Sequence, residues 1–314
     1  MCFSNTKNLY NIAQKEINNE EPDIIISCCN PAESLVVGSR LNKKYNKIKY
    51  YAYFLDSIFS GPIPSIFSEK YHDIKALKFE HKVLYNADGI IMMKAAEKKY
   101  LKNSKNIKFF DKIKFLDLPL YIPNENVTKN RMIFPSNQIV LFFAGSMPKN
   151  IRDPRFFLEV FSKAYNNNNS VHLYIAGKSD FEREIDDYCN NYSNIHMIGV
   201  QPHSKILEMY SEADFLVNLG NNLTGMVPSK IFEYMSMKKP LITTVRIDND
   251  PSIIYYEYYG KSLILDENAS LFEAVKNLVE FVEKMQNNVD VVKIQEDKLY
   301  NNTPVAFVNH IIEY

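Results

Sequence analysis

The sequence predicts an α/β protein built from two domains, each with a parallel β-sheet covered by helices. The first observation is an alternation of short apolar runs, such as residues 23–28 and 138–145, with longer segments of helical periodicity. Short continuous apolar runs are typical of strands buried on both faces in a parallel sheet. The second observation is a proline-containing polar stretch, residues 119–137, that separates two such alternations. The length of 314 residues also accommodates two domains of ordinary size.

The first alternation covers residues 1–118 and predicts one domain. Apolar residues from Leu9 to Ile17 recur at helical spacing, and Pro22 ends this first helix. Each later helix lies between two strands, and such β-α-β alternation is typical of parallel sheets. The expected helices are residues 6–19, 30–46, 66–86 and 95–102, and the expected strands are residues 23–28, 49–55, 89–93 and 114–118.

Residues 119–137 are predicted to link the domains, because three prolines lie there among polar residues. A second domain is expected at residues 138–302, followed by a last helical segment at residues 303–314. The same alternation of apolar runs and helical periodicity defines its elements. The expected strands are residues 138–145, 171–176, 195–198, 214–218, 241–245 and 262–265, and the expected helices are residues 153–166, 180–190, 203–212, 269–286, 290–300 and 303–313.

One element of the second domain, residues 225–240, points to function. It is a polar loop followed by a helix that begins near Pro228 and Ser229, between two apolar strands. Proline suits a first helical turn, and the serine hydroxyl can cap free N–H groups. The helix start would face the carboxyl edge of the sheet, where a phosphate is the usual anion. Glu233, one turn inside, could accept two vicinal hydroxyls such as those of a ribose. The alternative is an ordinary β-α-β unit with a solvated Glu233.

The segment Pro-Ser-Lys-Ile-Phe-Glu-Tyr-Met-Ser-Met-Lys-Lys-Pro, residues 228–240, resembles the signature of family 4-type (GT-B) retaining glycosyltransferases. In that family this loop and helix hold the nucleotide-sugar donor, and two glutamates usually stand eight positions apart. Glu233 matches the second, which binds the ribose hydroxyls in the family, and Gly225 stands at the place of the first. This departure, a glycine in place of the first glutamate, concerns the contact that the family makes to the sugar hydroxyls.

The resemblance covers residues 22–314 and implies the GT-B architecture. Two Rossmann-like domains would face each other across a cleft, with the donor on the second and the acceptor on the first. The last helix would cross back to the first domain. In the family the first domain begins with several more strand–helix units, including a glycine-rich loop near the acceptor. We therefore expect the N-terminal domain of this chain to be incomplete, with an open sheet edge.

The resemblance also implies that fixed cations stabilise the departing diphosphate. Gly145 ends a strand and permits close approach of the backbone. Arg152 falls where the family places a phosphate-binding Lys or Arg, and its guanidinium can grip two oxygens. The family's other cation usually follows the glycine, where this chain has Ser146, so Lys149 is the expected substitute. The alternative for Arg152 is an ion pair with Asp153.

Lys230 is a further candidate, because it lies at the helix start beside the expected diphosphate. Its alternative is a solvated helix lysine. The remaining donor contacts are expected from strand ends and from the loop before the helix. Turns and asparagines in such loops also occur for structural reasons alone. The residues concerned are Ser146, Gly199, Val200, Asn218, Thr224, Gly225, Met226, Val227 and Ser229.

Asp56 ends the second strand of the first domain and is predicted on the acceptor side. Many relatives have a histidine there that touches the sugar. Asp56 could orient an acceptor hydroxyl, contact the donor, or cap a turn, and we assign it no nucleophilic role. The six histidines show no metal-ligand spacing. We therefore expect no metal and no cofactor, with a nucleotide-diphosphate sugar as co-substrate.

Charge and cysteine usage limit the partners. The formal net charge is zero, which disfavours nucleic acid. Residues 1–130 carry 20 Lys and Arg against 14 Asp and Glu, whereas residues 131–314 carry 17 against 23. Six lysines lie within residues 94–108, so this domain could press on an anionic membrane surface or present a solvated helix face.

The sequence predicts a cytoplasmic protein, with a peripheral position at the inner membrane face. Its four cysteines show no Cys-x-x-Cys spacing, and it has no signal-peptide core and no run long enough to span a membrane.

The function expected from these features is metal-independent glycosyl transfer with retention, of the hexosyltransferase type. The acceptor would be a glycan or a lipid-linked sugar, in polysaccharide biosynthesis. One alternative is a non-catalytic remnant or partner-dependent subunit that binds nucleotide. Another is a nucleotide-sugar 2-epimerase on the same architecture. A dehydrogenase is disfavoured, because no Gly-x-Gly-x-x-Gly follows a strand.

Overall fold

The structure of the chain is a computed structural model. It describes residues 5–29, 31–55, 57–59, 68–123, 132–166, 170–222, 227–287 and 294–312. The chain divides into two compact units. The first unit contains residues 1–119 and 305–314, and the second contains residues 120–304. Within the described ranges, no helix combines the length and the apolar character needed to cross a lipid bilayer.

The first unit is built on a four-stranded parallel sheet in the order β1-β2-β3-β4. Strand β3 is buried along its whole length, as its apolar sequence predicts. The strands are β1 (Ile24–Cys29), β2 (Lys49–Phe54), β3 (Gly89–Met93) and β4 (Ile113–Leu116). The helices are α1 (Thr6–Glu20), α2 (Glu33–Lys44), α3 (Glu69–Leu84) and α4 (Glu97–Lys102), with α12 (Pro304–Ile312) from the end of the chain.

Helix α12 packs on the sheet of the first unit through aromatic and aliphatic side chains. The ring centroids of Phe307 and Tyr53 are 5.0 Å apart. Ile311 joins a small buried cluster with Tyr51 and Ile91, which come from β2 and β3. The end of the chain therefore covers a face of the sheet that its beginning forms.

The second unit is built on a six-stranded parallel sheet in the order β10-β9-β8-β5-β6-β7. The chain moves outward from β5 to β7, then returns to the other side of β5 and moves outward again. Ligands of open α/β sheets bind where the strand order reverses, here at the carboxyl ends of β5 and β8. The strands are β5 (Ile139–Ala144), β6 (Val171–Ala176), β7 (Ile195–Gly199), β8 (Phe215–Asn218), β9 (Leu241–Val245) and β10 (Ser262–Asp266).

The helices of the second unit cover both faces of its sheet. They are α5 (Arg155–Ala164), α6 (Glu182–Asn191), α7 (His203–Glu212), α8 (Lys230–Ser236), α9 (Ile253–Tyr259), α10 (Leu271–Asn287) and α11 (Glu296–Leu299). The α/β class and the parallel sheets predicted from the sequence are confirmed. The described part of the helix expected at residues 290–300 is shorter, because only the four residues of α11 are α-helical there.

Helix α9 was not predicted from the sequence. Its segment is rich in isoleucine and tyrosine, which favour strands by intrinsic preference. Tertiary burial of Tyr255, Tyr256 and Tyr259 overrides that preference. The usable signal was Gly260, which ends the helix in the left-handed region at φ 70° and donates its N–H to the carbonyl of Tyr256.

Both sheets contain the same pair of hydrogen bonds, made by an aspartate, at the start of a strand. Asp88 precedes β3, donates its N–H to the carbonyl of Tyr50 (2.8 Å), and accepts the N–H of Tyr50 on its carboxylate (2.7 Å). Asp214 precedes β8 and makes the same pair of bonds with Val140, at 3.0 and 2.7 Å. Each aspartate thus satisfies two backbone groups at the beginning of the neighbouring strand and fixes the register there.

We expect Asp88→Ala to lower the free energy of unfolding by about 1–3 kcal/mol, because the buried N–H of Tyr50 loses its charged acceptor. Urea unfolding followed by circular dichroism measures the effect. Asp111→Ala is the matched control in the same unit, because Asp111 is exposed. Equal unfolding midpoints for the two variants would contradict the proposed role of the Asp88 carboxylate.

Candidate functional site

Three glycines lie where β5, β6 and β8 end, and they let the loops of the second unit approach closely. Gly145 donates its N–H to the carbonyl of Ala176 (2.9 Å). A Cβ atom on Gly177, which has φ +133°, would lie 2.0 Å from the carbonyl oxygen of Gly145. A Cβ atom on Gly220 would lie 2.5 Å from the carbonyl oxygen of Thr244. The loops can therefore pack backbone to backbone only with glycine at these positions.

The chain after β5 first runs beside the chain after β6 and then turns back. Met147 donates its N–H to the carbonyl of Lys178 (2.8 Å) and accepts the N–H of Asp180 (3.0 Å). One turn follows, in which the carbonyl of Pro148 accepts the N–H of Arg152 (2.9 Å). This turn returns Arg152 to the carboxyl edge of the sheet.

The guanidinium of Arg152 is held by backbone carbonyls. Its Nε donates to the carbonyl of Leu219 (3.1 Å), and its Nη1 donates to the carbonyl of Ser146 (2.9 Å). The alternative of an ion pair with Asp153 is excluded, because that carboxylate binds Arg155 at 2.6 Å. Among the described residues, no carboxylate forms an ion pair with Arg152. The guanidinium charge therefore stays available at the edge of the sheet.

Lys230, the first residue of α8, brings a second cation to the same edge. Its Nζ donates to the carbonyl of Ala144 (2.7 Å), which also accepts the hydroxyl of Tyr234 (3.0 Å). A Cβ atom on Gly145 would lie 3.5 Å from Lys230 Nζ and 3.5 Å from Arg152 Nη1. The two cationic side chains thus flank one point beside the last residues of β5.

Burial lowers the pKa of Lys230, the nearby charge of Glu233 raises it, and the charge of Arg152 lowers it further. Burial likewise lowers the pKa of the Arg152 guanidinium. Two positive charges held close together in a partly buried place repel each other, and a bound anion would relieve that repulsion. The electrostatics of the site therefore favour an anion between Arg152 and Lys230.

A pocket of about 260 Å³ adjoins these cations. Its walls come from the ends of β5 and β6, from the loop after β7, and from α7 and α8. Glu233 reaches this pocket from α8, and Val200 stands 63% exposed at its rim. The lining residues are Ala144, Gly145, Ala176, Gly177, Val200, Gln201, His203, Ile206, Tyr210, Lys230 and Glu233.

A second pocket of about 570 Å³ lies on the other side of Glu233 and Lys230, which it shares with the first. Its remaining walls come from α8 and from the chain before residue 124. Most of this lining is apolar. The lining residues are Leu120, Ile122, Pro123, Ser229, Lys230, Glu233, Ser236 and Met237.

The structure brings Gly145, Arg152, Lys230, Glu233 and Val200 of the predicted site together. The carbonyl of Gly199 accepts the N–H of Gly177 (2.9 Å) at the same edge, and Val227 lies half-buried before α8. Four predicted residues lie outside the described ranges. They are Asp56, Thr224, Gly225 and Met226.

Asn218 and Lys149 lie away from the pocket. Asn218 is buried in the core, where its side-chain amide donates to the hydroxyls of Thr243 and Tyr256, both at 3.0 Å. Lys149 lies exposed on the turn after Pro148, and it is its backbone N–H that binds Asp180 (2.9 Å). Lys230 occupies the position beside the strand that Lys149 was expected to fill.

The predicted cap at Ser229 is wrong. Its side chain makes no capping bond, because its backbone is already helical, at φ −58° and ψ −32°. A capping side chain normally needs an extended backbone at that residue. Helix α8 is also only seven residues long. The charge of the site therefore comes mainly from Arg152 and Lys230 and less from the helix start than expected.

Sequence reasoning missed several residues of the pocket. Gly177 had a usable signal, because Ala176-Gly177 repeats the Ala144-Gly145 pair at the end of a neighbouring strand. His203 gave no signal in the sequence, and the structure shows it exposed at the lining of the pocket. The other missed residues are Ile206 and Tyr210, which α7 brings to the pocket. Within the described ranges, no group of three or more metal-ligating side chains is assembled.

Comparison with known proteins finds a family that part of the second unit resembles. Residues 138–281 match the family described as glycosyl transferases group 1. No curated protein sequence matches the chain significantly. The match covers a little under half of the chain.

Solved structures show the same fold over nearly the whole chain. One similar structure is sucrose-phosphate synthase from Thermosynechococcus elongatus, with 14% identity, TM-score 0.62, and coverage of 99% of this chain and 77% of that one. HepE from Anabaena in complex with UDP and glucose has 13% identity, TM-score 0.61, and coverage of 100% and 83%. The lipopolysaccharide outer core galactosyltransferase WaaB has 16% identity, TM-score 0.53, and coverage of 94% and 74%. The predicted resemblance to GT-B glycosyltransferases is confirmed in fold.

We expect Gly177→Ala to destabilise the second unit by roughly 2 kcal/mol or more, because its Cβ would overlap the carbonyl of Gly145. Gly199→Ala is the matched control. Gly199 also has positive φ, but a Cβ there would meet nothing within 4 Å. Only conformational strain of about 1 kcal/mol should then appear. Equal losses in urea unfolding would mean that strain alone, without the close approach of the two loops, accounts for the effect.

Proposed function

We propose that this GT-B chain is a metal-independent glycosyltransferase that uses a nucleotide-diphosphate sugar and retains the configuration of the transferred sugar. The observation that carries the proposal is the pair of cationic side chains, Arg152 and Lys230, beside Gly145. Neither cation is neutralised by an ion pair among the described residues. The pair stands where the strand order of the sheet reverses, which is the usual ligand site of such sheets.

The diphosphate of the donor would lie between Arg152 and Lys230. Sugar transfer passes through a transition state with oxocarbenium character, while negative charge develops on the leaving diphosphate. Fixed cations aimed at that charge lower the barrier, and they need no reorganisation when they are already held by carbonyls. The carbonyls of Ala144, Ser146 and Leu219 hold the two cations in this way. This arrangement supports leaving-group stabilisation without a metal.

The nucleoside would occupy the adjoining pocket of about 260 Å³. Glu233 stands at its wall, and its carboxylate could accept both hydroxyls of a ribose. Gln201 donates its side-chain amide to the carbonyl of Ile198 (2.6 Å), which fixes the loop that would meet the base. Of the similar structures, HepE contains UDP and glucose, which supports a nucleotide sugar as the donor class.

The acceptor would be a glycan or a lipid-linked sugar, and the proposed setting of such a reaction is polysaccharide biosynthesis. This part of the proposal is supported by the names of similar structures, one of which is a lipopolysaccharide outer core galactosyltransferase. The basic first half of the chain, with its lysines at residues 94–108, suits an anionic membrane surface. A peripheral position at the inner membrane face is therefore part of the proposal.

We expect one of UDP, GDP and ADP to bind in calorimetric titration of the purified chain. Arg152→Ala and Lys230→Ala should each weaken binding about tenfold or more, because each removes a charge-assisted contact to phosphate. Glu233→Ala should weaken it through the loss of ribose contacts. Lys149→Ala should have little effect, because that side chain is exposed and does not line the pocket.

Lys276→Ala, on the exposed face of α10, is the control for a general loss of positive charge. Equal effects of the Lys149 and Lys230 substitutions would contradict the position of the diphosphate. A folded chain that binds no nucleotide would overturn the donor site altogether. Consumption of the nucleotide sugar then separates the alternatives, because a binding remnant gives no product and a 2-epimerase gives an isomer of the donor.

We expect nucleotide affinity to fall as pH rises. The fall should occur at a lower pH than the loss of charge from an ordinary lysine would produce. The charged form of Lys230 binds phosphate. Because the pKa of Lys230 is lowered, its uncharged form becomes populated at a lower pH than in an ordinary lysine. Titrations between about pH 7 and about pH 9.5 measure the fall, against an ordinary lysine pKa of about 10.4. Lys230→Arg is the matched control, because arginine stays charged over that range. An equal fall in the variant would assign the pH dependence to another group, such as the base.

A further inference from the structure

The peptide group that joins Leu219 to Gly220 lies directly after β8, at the edge of the sheet where Arg152 stands. A trans peptide group is planar, and its C=O and N–H point in opposite directions. The carbonyl of Leu219 accepts the Nε–H of Arg152 (3.1 Å), and the N–H of Gly220 donates to Thr244 Oγ1 (2.9 Å). One rigid group therefore connects the Thr244 hydroxyl to the Arg152 guanidinium.

The N–H of Gly220 depends on the Thr244 hydroxyl, because this region is buried. Thr244 is 1% exposed, and Gly220 is also buried. A Cβ atom on Gly220 would lie 2.5 Å from the carbonyl oxygen of Thr244, so the loop after β8 packs directly on β9. Removal of the hydroxyl would leave a buried donor without this bond, and the peptide group would lose the contact that fixes its plane.

The Thr244 hydroxyl is itself held in one orientation. A hydroxyl can accept one hydrogen bond while it donates another. Oγ1 accepts the N–H of Gly220, and its proton goes to the carboxylate of Glu267, which follows β10. The Glu267 side chain is only 10% exposed, and its carboxylate lies 3.6 Å from Arg246 Nε. Because the hydroxyl proton is engaged by Glu267, a lone pair of Oγ1 stays directed at Gly220.

The guanidinium of Arg152 depends on both of its carbonyl partners. Nη1 donates to the carbonyl of Ser146 (2.9 Å) and Nε to that of Leu219, and these carbonyls follow two different strands, β5 and β8. Two contacts fix the position and the plane of a guanidinium, whereas a single contact leaves it free to turn. A cation that must be reoriented when its ligand arrives contributes less to binding and to catalysis. The Leu219 carbonyl therefore keeps Arg152 preorganised.

We propose that Thr244 is a positioning residue for the donor phosphates, because it holds the Leu219–Gly220 peptide so that the Leu219 carbonyl directs Arg152 toward the anion. Thr244 lines neither of the two pockets, so it acts through this peptide and not by touching a ligand. The consequence for nucleotide binding rests on the function proposed above. The hold on Arg152 does not depend on that function.

Thr243, the preceding residue of β9, provides a matched comparison. Its exposed fraction is 0%, and successive side chains of a strand point to opposite faces of the sheet. Its hydroxyl bonds the side chains of Asn218 (3.0 Å) and Tyr256 (3.2 Å), and neither bond reaches the Leu219–Gly220 peptide. If the threonine hydroxyls only stabilised the core, Thr243→Val and Thr244→Val would act alike on Arg152.

NMR of the arginine Nε–H groups tests the hold directly. The chain has six arginines, and Arg152→Lys identifies the Arg152 signal by its loss. This Nε–H is hydrogen-bonded on a half-buried side chain, so it should exchange slowly with solvent in the wild type. In Thr244→Val the exchange should be about threefold faster or more, because the bond to Leu219 is weakened. Thr244→Ser keeps the hydroxyl and should restore slow exchange, and Thr243→Val should behave as wild type.

Calorimetric titration with UDP, GDP and ADP measures the consequence for binding. The nucleotide that binds the wild type should bind Thr244→Val about threefold more weakly or worse, whereas Thr244→Ser should keep the wild-type affinity. In the Arg152→Ala background, Thr244→Val should cause no further loss, because Thr244 acts through Arg152.

Urea unfolding first establishes that each variant folds. If Thr244→Val does not fold, Glu267→Leu takes its place, because it removes the acceptor that orients the Thr244 hydroxyl. It should accelerate the exchange of the Arg152 Nε–H in the same direction.

Unchanged exchange of the Arg152 Nε–H in Thr244→Val would overturn the proposal, as would equal acceleration in Thr243→Val. Additive losses of affinity in the Arg152→Ala background would also contradict it, because Thr244 would then act apart from Arg152. A wild-type chain that binds no nucleotide would refute the donor site, while the Nε–H signals would still decide whether Thr244 holds Arg152.

Discussion

The candidate site depends on two cations that are bound to backbone carbonyls and not to carboxylates. Lys230 binds the carbonyl of Ala144, and Arg152 binds the carbonyls of Ser146 and Leu219. A carbonyl satisfies a donor without cancelling its charge. Had Arg152 paired with the neighbouring aspartate, only Lys230 would contribute an uncompensated positive charge at this edge of the sheet. Because carbonyls bind both side chains, their positive charge remains available to an anion.

This arrangement needs the loops to lie within backbone contact of each other, and a chain of bonds behind the site supports that packing. Gly220 donates its N–H to the Thr244 hydroxyl (2.9 Å), and Thr244 is hydrogen-bonded to Glu267. Arg246 lies 3.6 Å from Glu267 and 3.6 Å from Asp153. Because Asp153 is engaged here and with its other arginine partner, it does not neutralise the cation beside it in sequence.

The sequence predicted the sheets well because a strand buried on both faces must be apolar throughout, and such runs are easy to recognise. It failed at α9, where burial of three tyrosines decides the conformation that intrinsic preference would not. Within the site, Arg152 and Glu233 follow from the family's spacing. The choice between Lys149 and Lys230 does not, because it depends on where the turn at Pro148 sends the chain. Spacing along the sequence gives no information about that direction.

The close approach of Gly177 to Gly145 depends similarly on the register between β5 and β6, which pairs Ala144 with Ala176. A single sequence shows a glycine after each strand, but the distance between their backbones comes from the paired strands. Such tertiary contacts decide most of the residues that were missed, since α7 supplies its part of the pocket only through the packing of the second unit.

The candidate site also has its own response to pH. Loss of the Lys230 charge removes an attraction for phosphate as pH rises, and burial brings that loss to lower pH than in an exposed lysine. Arg152 keeps its charge over the same range, because a guanidinium does not lose its proton in a protein. The pH response of the site therefore arises in only one of its two cations.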